Sequence, residues 1–375
     1  MARKKKIAIN TGGGDAPGLN AVIQAATLAA IEQGWDVWGI RRGYRGLFEP
    51  GGLMHLDRDA VRGIAHLGGT ILGAANRADP FRFPTRVAGH DTLIPVDRSA
   101  ELVKRFEEEG FDALVAIGGD GSLSIADKLR AAGLPAVIGV PKTIDNDVAG
   151  TDVTFGFDTA VSIATEAIDR LHTTTEAHER VMVVEVMGRN AGWIGIMSGL
   201  AGGSDAILIP EVPFELERVA ERVRQREARG RHFSIVVVSE GACSIGEDVT
   251  ARSIDDPFRN ALRLGGIGEK VAAALAPLTG KETRFIALGH LLRGGGPSSA
   301  DRVLALRFGA AAIGELAQGA NSGMVATRDG NVRLVPLSEA VGRTRTVPTD
   351  RGVIETARAL GICFGDEPAG HFDRR

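Results

Sequence analysis

Cysteine is scarce: Cys243 and Cys363 are the only two in 375 residues. Two thiols so far apart form neither a disulfide framework nor a spaced metal site. They read as buried apolar thiols in a reducing compartment. No apolar run reaches the ~18 residues that a membrane-spanning helix needs. The basic start Arg3-Lys4-Lys5-Lys6 is followed by only Ile7-Ala8-Ile9 before Asn10-Thr11-Gly12, too short for a secretory signal core. The expectation is a cytoplasmic protein. Charge of one sign is lacking too. With 44 Lys+Arg against 47 Asp+Glu the net charge is −3, which argues against nucleic acid or an anionic membrane as partner. Low-complexity linkers and fixed-period repeats are absent.

What the chain has in excess is glycine, 50 of its 375 residues, about twice the ~7% average and without a collagen period. Such excess points to tight turns and to backbone that approaches something closely. At ~150 residues per domain the length corresponds to about two domains. Short apolar runs at 6–10, 37–41, 113–117, 136–140, 181–186, 207–210, 234–239 and 285–288 read as strands covered on both faces. Helical spacing recurs between them, at 20–32, 100–109, 159–172, 216–229 and 301–318. Alternation of this kind means βαβ units. The expected fold is α/β: two doubly wound domains with largely parallel sheets and the active site in the cleft between them. Segment 150–156 is a candidate crossing, 323–328 with 332–336 reads as a small terminal hairpin, and the polar tail 365–375 is expected to fray.

Two glycine clusters directly follow predicted strands and open helices: Gly12-Gly13-Gly14-Asp15-Ala16-Pro17-Gly18, and Gly118-Gly119-Asp120-Gly121-Ser122. Ligands of open α/β sheets bind at the carboxyl ends of strands, and a glycine loop there offers N–H groups to a phosphate. Two loops suit a polyphosphate, although either alone is equally a tight turn. The named phosphate motifs fail, because the one Gly-Lys pair, Gly280-Lys281, is followed by Glu282, and Asp15 and Asp120 interrupt a dinucleotide fingerprint. An acid in a phosphate loop repels its ligand unless a cation intervenes, so Asp120 reads as a Mg²⁺ carboxylate. Asp145 and Asp147, two apart in Thr143-Ile144-Asp145-Asn146-Asp147, would point the same way in extended chain. One can bind metal while the other serves as base for a hydroxyl, or both are solvated turn acids. Arg180, Arg189, Arg284, Arg293 and His290 lie at the edges of three predicted strands and form a candidate sugar-phosphate pocket.

Jointly these motifs resemble the 6-phosphofructokinase family. Gly13-Gly14-Asp15-Ala16-Pro17-Gly18-Leu19-Asn20, Gly118–Ser122 and Thr143–Asp147, together with Glu185-Val186-Met187-Gly188-Arg189 and Gly289-His290-Leu291-Leu292-Arg293-Gly294-Gly295, occur in family order over about residues 5 to 310. The resemblance implies a glycolytic kinase that phosphorylates the 1-hydroxyl of fructose 6-phosphate with MgATP. It implies Asp145 as base, with Thr143, Asp147 and Arg189 in the catalytic set and Asp147 near the metal. Gly14, Arg77, Gly119, Asp120, Gly121, Ser122 and Lys142 would line the phosphoryl donor, with Tyr44 on the base side or simply packed. Thr143, Ile144, Asp145, Met187, Gly188, Arg189, Glu240, His290 and Arg293 match the sugar-phosphate pocket. Arg180 and Arg284 match residues that reach a neighbouring subunit's site, which implies a homo-oligomer, at least a dimer and usually a tetramer. The corresponding domains are 1–150 plus about 292–340 for the donor, and about 151–291 plus 341–375 for the sugar phosphate.

The chain departs from the family pattern twice. Gln24, Leu28 and His172 stand where allosteric bacterial enzymes carry effector-binding arginines, and they cannot supply three fixed charges. The donor signals are mixed. Pyrophosphate-dependent relatives usually carry Asp where Gly121 stands and Lys where Lys142 stands, whereas the ATP-dependent bacterial type has Gly at both. Glycine at 121 leaves room for an α-phosphate, so ATP is the expected donor and pyrophosphate the alternative. A lipid or NAD kinase shares the Gly-Gly-Asp-Gly signature but not the Thr143–Asp147 and His290–Arg293 segments.

Overall fold

The computed structural model describes residues 3–75, 77–89, 92–252, 258 and 263–372. Its strands in chain order are β1 (Lys6–Thr11), β2 (Asp36–Ile40), β3 (Leu53–His55), a small ribbon of β4 (Phe83–Thr85) and β5 (Ile94–Val96), then β6 (Ala113–Gly118) and β7 (Val137–Pro141). There follow β8 (Val181–Val186), β9 (Ala206–Leu208), β10 (Ser234–Ser239), a two-residue ladder of β11 (Ala251–Arg252) with β12 (Arg263–Leu264), β13 (Thr283–Ala287), β14 (Ser322–Arg328) and β15 (Asn331–Val335). The helices that cover them are α1 (Leu19–Glu32), α2 (Ser99–Glu108), α3 (Asp120–Ala131), α4 (Phe157–Ala177), α5 (Trp193–Ala201), α6 (Leu216–Ala228), α7 (Ile267–Thr279), α8 (Ser299–Ala317), α9 (Leu337–Ala340) and α10 (Val353–Ala359).

Seven strands form the first sheet in the order β15-β14-β7-β6-β1-β2-β3. The inner five run parallel, while β15 and β3 pair antiparallel at the two edges. Alternation in the apolar runs explains the two covered faces. Ile7, Ile9, Val115 and Ile117 pack with α1 and α8, while Ala8, Leu114 and Ala116 pack with α2, α3 and α9. The second sheet, β13-β8-β10-β9, is wholly parallel. Val181, Val183, Val236 and Val238 meet α6 and α7 on one face, and Met182, Val184, Ile235 and Val237 meet α4 on the other.

The α/β architecture with largely parallel sheets is therefore as expected. Two local expectations change. The hairpin does not stand alone: β14 pairs parallel with β7, so the ribbon extends the first sheet. Its turn, Asp329-Gly330, has φ of 51° and 75°, the left-handed pair that a two-residue hairpin turn requires. The tail does not fray over its described part. Glu367 accepts hydrogen bonds from the N–H groups of Phe364 and Gly365, and buried Phe372 joins the α6–α7 core. Polar composition misled because this Glu works as a local cap rather than as a solvated charge.

Candidate active site

Both glycine loops leave the carboxyl ends of central strands and meet over one side chain. Ser122 stands between them, and a Cβ at Gly12 or Gly118 would come within 2.6 or 2.7 Å of its hydroxyl oxygen. The loops are glycine because the hydroxyl occupies that space. The Gly12 N–H donates to the Ile117 carbonyl at 2.8 Å, tying the first loop to β6. Gly121, by contrast, faces open space, with no atom within 4 Å of a Cβ built there. Asp120 opens α3, and its carboxylate accepts a 3.3 Å hydrogen bond from the Gly342 N–H.

Beyond β7 the chain carries Lys142 and the aspartate pair. Lys142 is buried, and its ammonium donates to the Gly14 carbonyl at 2.5 Å, so this side chain belongs to the first glycine loop. Burial, and then the nearby Arg293, pull its pKa down to about 8 against the opposing pull of Asp145, Asp15 and Asp147. Asp145 is pushed up to about 7, first by burial and then by Asp147, with Arg293 working against both. One carboxylate oxygen of Asp145 has no hydrogen-bond partner among the described residues. Asp147 is raised by burial, with Thr143 stabilising its charge and Asp120 opposing it.

Contrary to the expectation from spacing, the segment is not extended. Asn146 adopts φ 53°, turning the chain between the two acids. Asn146 Oδ1 accepts from the Thr154 N–H at 3.1 Å, and the Thr154 hydroxyl donates to the Thr143 carbonyl at 2.8 Å. The Thr143 hydroxyl in turn accepts from the Asp145 N–H at 3.0 Å. The acids are brought together by this turn rather than by strand periodicity.

The second sheet supplies the other wall. Met187, Gly188 and Arg189 follow β8, Glu240 follows β10, and His290 and Arg293 lie on a 3-10 turn, Gly289–Arg293, after β13. Gly241 lets two of these exits touch: its N–H reaches the Gly188 carbonyl at 3.1 Å, and any Cβ there would strike the Arg189 carbonyl. Arg293 bridges the sheets, donating to the Asp15 carbonyl at 3.1 Å and lying 3.5 Å from a Cβ built on Gly14. Glu240 is raised by burial and then by Glu185, whose own carboxylate accepts the N–H groups of Gly266 and Gly268 at the start of α7.

Not every sequence candidate joins this cluster. Arg180 and Arg284 sit at the amino ends of β8 and β13, and both face Glu282. The length of β8, roughly 20 Å at about 3.3 Å per residue, separates that end from Arg189. The supposed single pocket of arginines is thus split between two ends of one sheet. The Ile144 side chain is fully buried in the α4 core, so only its backbone can face a substrate. Tyr44 is buried and belongs to the same apolar cluster as Leu47, Phe106 and Leu114. Arg77 is exposed, 5.8 Å from the Phe258 ring, and its neighbour Asn76 lies outside the described residues. Gln24 donates to the Val61 carbonyl, Leu28 packs on the α1–α8 core, and His172 bonds the Gly202 carbonyl. All three are engaged within the chain.

A cation fits the donor side. Asp120 and Asp147 offer hard oxygen ligands, and Asp120 is close enough to disfavour the charge of Asp147. Mg²⁺ characteristically takes one or two carboxylates plus substrate phosphates. No cluster of three or more potential metal-ligating side chains occurs among the described residues, as that mode of binding permits.

The phosphofructokinase family model matches residues 6–316, which take in the second sheet, both phosphate-type glycine loops and every strand of the first sheet except β14 and β15. The chain belongs to the phosphofructokinase family. An "ATP-dependent 6-phosphofructokinase" of Chloroflexus aggregans is 50% identical over 366 residues, 98% of this chain and 99% of that protein. A "Pyrophosphate--fructose 6-phosphate 1-phosphotransferase" of Amycolatopsis methanolica is 47% identical over 92% of this chain and 97% of its own length. Among solved structures, phosphofructokinase from Saccharomyces cerevisiae superposes with a TM-score of 0.75 at 32% identity. It is matched over 90% of this chain, which spans 45% of the yeast chain. No described helix of this phosphofructokinase is long and apolar enough to cross a membrane. What sequence reasoning missed lies after the matched region, where Gly342 meets Asp120 and Arg345 meets the Asn146 turn.

Proposed function

We propose that this phosphofructokinase transfers the terminal phosphoryl group of ATP to the 1-hydroxyl of fructose 6-phosphate. The observation that carries the reading is the Asp145 carboxylate: its Oδ1 is buried with no hydrogen-bond partner among the described residues, and it feels the charges of Asp147, of Lys142 on the first glycine loop, and of Glu240 and Arg293 on the facing wall. As the acceptor hydroxyl attacks the terminal phosphorus, its proton passes to Asp145, and the bond from that phosphorus to the leaving phosphate oxygen breaks. Thr143 orients Asp145 and steadies Asp147. Arg293 and Lys142 bring positive charge to the glycine loop where donor phosphates would lie. Arg189 and His290 offer donors to the sugar phosphate, and Glu240 accepts from sugar hydroxyls. Asp120 and Asp147 would hold Mg²⁺, which would supply positive charge against the donor phosphates.

Gly119, Gly121 and Ser122 would line ATP, with Arg77 on its phosphates. The proposed donor-binding domain is 1–150 plus about 292–340, and the sugar-phosphate domain about 151–291 plus 341–375. The active form is a homo-oligomer, a tetramer in which Arg180 and Arg284 complete a neighbour's pocket. Their place at the far end of the second sheet supports this, since they do not reach their own chain's pocket. The proposed compartment is the cytoplasm.

Pyrophosphate is the second reading, favoured by one observation. The buried Lys142 ammonium sits against the first glycine loop, a position useful to a small, highly charged donor. Fructose 6-phosphate assayed with ATP and with pyrophosphate side by side tests both. Turnover with ATP is expected to exceed that with pyrophosphate, the reverse assigns the second reading, and inactivity with both defeats the proposal.

A further inference from the structure

The chain beyond α9 runs as a strap along the cleft. Its Gly342 N–H bonds Asp120, Thr344 forms an antiparallel bridge with Val148, and its Val347 N–H donates to Glu211 at 2.8 Å. Glu211 also accepts the Gly192 N–H at 3.0 Å, just before α5. The strap therefore touches the donor side, the aspartate turn and the segment after β9 within six residues.

Arg345 is its centre. The Arg345 N–H donates to the Asp147 carbonyl at 2.8 Å, and its guanidinium donates to the Asn146 carbonyl at 3.1 Å. The same guanidinium lies 4.2 Å from the Trp193 ring centroid, and the Trp193 indole N–H donates to the Arg345 carbonyl at 2.9 Å. Among the described residues it forms no ion pair, although the Asp152 charge acts on it; the guanidinium donates to one carbonyl, that of Asn146, and the main-chain N–H to that of Asp147. Those carbonyls belong to the turn whose non-glycine residue, Asn146, holds φ 53°. Such backbone outliers persist only where their surroundings over-determine them, and they gather at functional sites.

We propose that Arg345 is a positioning residue that fixes the Asn146 turn, and so the direction of Asp145 and Asp147, against the Trp193 face at the start of α5. It touches neither substrate and acts through the turn. The inference rests on the reading of Asp145 as the base. An arginine is suited to this task because one flat group both stacks on an aromatic face and donates in its own plane.

The test uses the full chain with fructose 6-phosphate and whichever donor the wild type turns over. Arg345→Ala is expected to lower kcat by about 10- to 10²-fold, the scale of a sub-ångström to 1 Å misplacement. Both KM values should stay within a few-fold of wild type. Arg345→Lys, which keeps the cation and one reaching donor, should fall between the two. Arg343→Ala, an exposed neighbour on the strap, should match wild type. If Arg345→Ala does not fold, Trp193→Phe keeps a ring face, loses the indole donor, and should lower kcat less with KM unchanged. A folded Arg345→Ala with wild-type kcat, or one that raises KM with kcat intact, overturns the proposal. So does a Lys variant no better than Ala. A wild type inactive with both donors sinks the functional reading and this inference together, whereas an active wild type with an indifferent Arg345 sinks this inference alone.

Discussion

Asp145 sits where burial and Asp147 together push its pKa up to about 7. A base must be unprotonated, and below that value the proton-bound form dominates. kcat/KM, which reports the free enzyme, is therefore expected to fall as pH drops through about 7. Asp145→Asn removes the proposed proton acceptor and should lower kcat by the ~10²–10⁴ typical of general acid–base catalysis, with the KM for fructose 6-phosphate changed far less. A variant keeping more than half of wild-type kcat takes Asp145 out of that role. The donor question is also tested at single residues. Open space in front of Gly121 means that Gly121→Asp adds a charge where the proposed donor lies, without a clash inside the chain. In a water-poor cleft that repulsion is worth kilocalories. ATP use should be lost, and pyrophosphate, lacking an α-phosphoryl on a nucleoside, should suffer less. Lys142→Gly removes the cation at the Gly14 carbonyl and should tilt the ratio towards ATP. The ratio of kcat/KM for the two donors in wild type and both variants reads this directly, and a wild type that already prefers pyrophosphate reverses the ranking of the two positions.

At the scale of elements, the strands were legible because both faces of each are covered and the apolar runs are therefore continuous. β8 and β10 fall where the runs end, and α1 and α8 begin within two residues of their expected starts. The Thr143–Asp147 segment was legible as chemistry but not as shape, since Asn146 turns the chain through a hydrogen bond to Thr154, eight residues on. A similar device joins two helices. Asp301, buried near the start of α8, accepts the Thr159 N–H at 2.7 Å and its hydroxyl at 2.6 Å at the start of α4. Ser298, the α8 cap, bonds Asp158 and donates its N–H to the Thr159 hydroxyl. Asp301→Ala leaves those buried donors without their acceptor, which costs about 1–3 kcal/mol per unsatisfied group. A lowered denaturant midpoint with an unchanged slope is expected, and an unchanged midpoint would show the clamp to be dispensable.

Across the whole molecule, the parallel sheets place glycine loops and sugar-pocket residues at carboxyl ends and Arg180 and Arg284 at an amino end. If those arginines serve a neighbour, Arg284→Ala chains and Asp145→Asn chains should each be impaired alone and should recover activity when their subunits are exchanged. Verified mixed oligomers with no recovery count against shared sites. By itself the sequence determined the α/β class, the two glycine loops, the acids and the family, because each depends on short-range pattern: apolar period, glycine after a strand, residues a few positions apart. Only the tertiary structure decided which candidates meet. It buried Tyr44 and the Ile144 side chain, parted Arg180 and Arg284 from Arg189, and brought Gly342 to Asp120 and Arg345 to the Asn146 turn, each about two hundred residues earlier. Those outcomes depend on strand direction and on long-range hydrogen bonds, which no local spacing encodes.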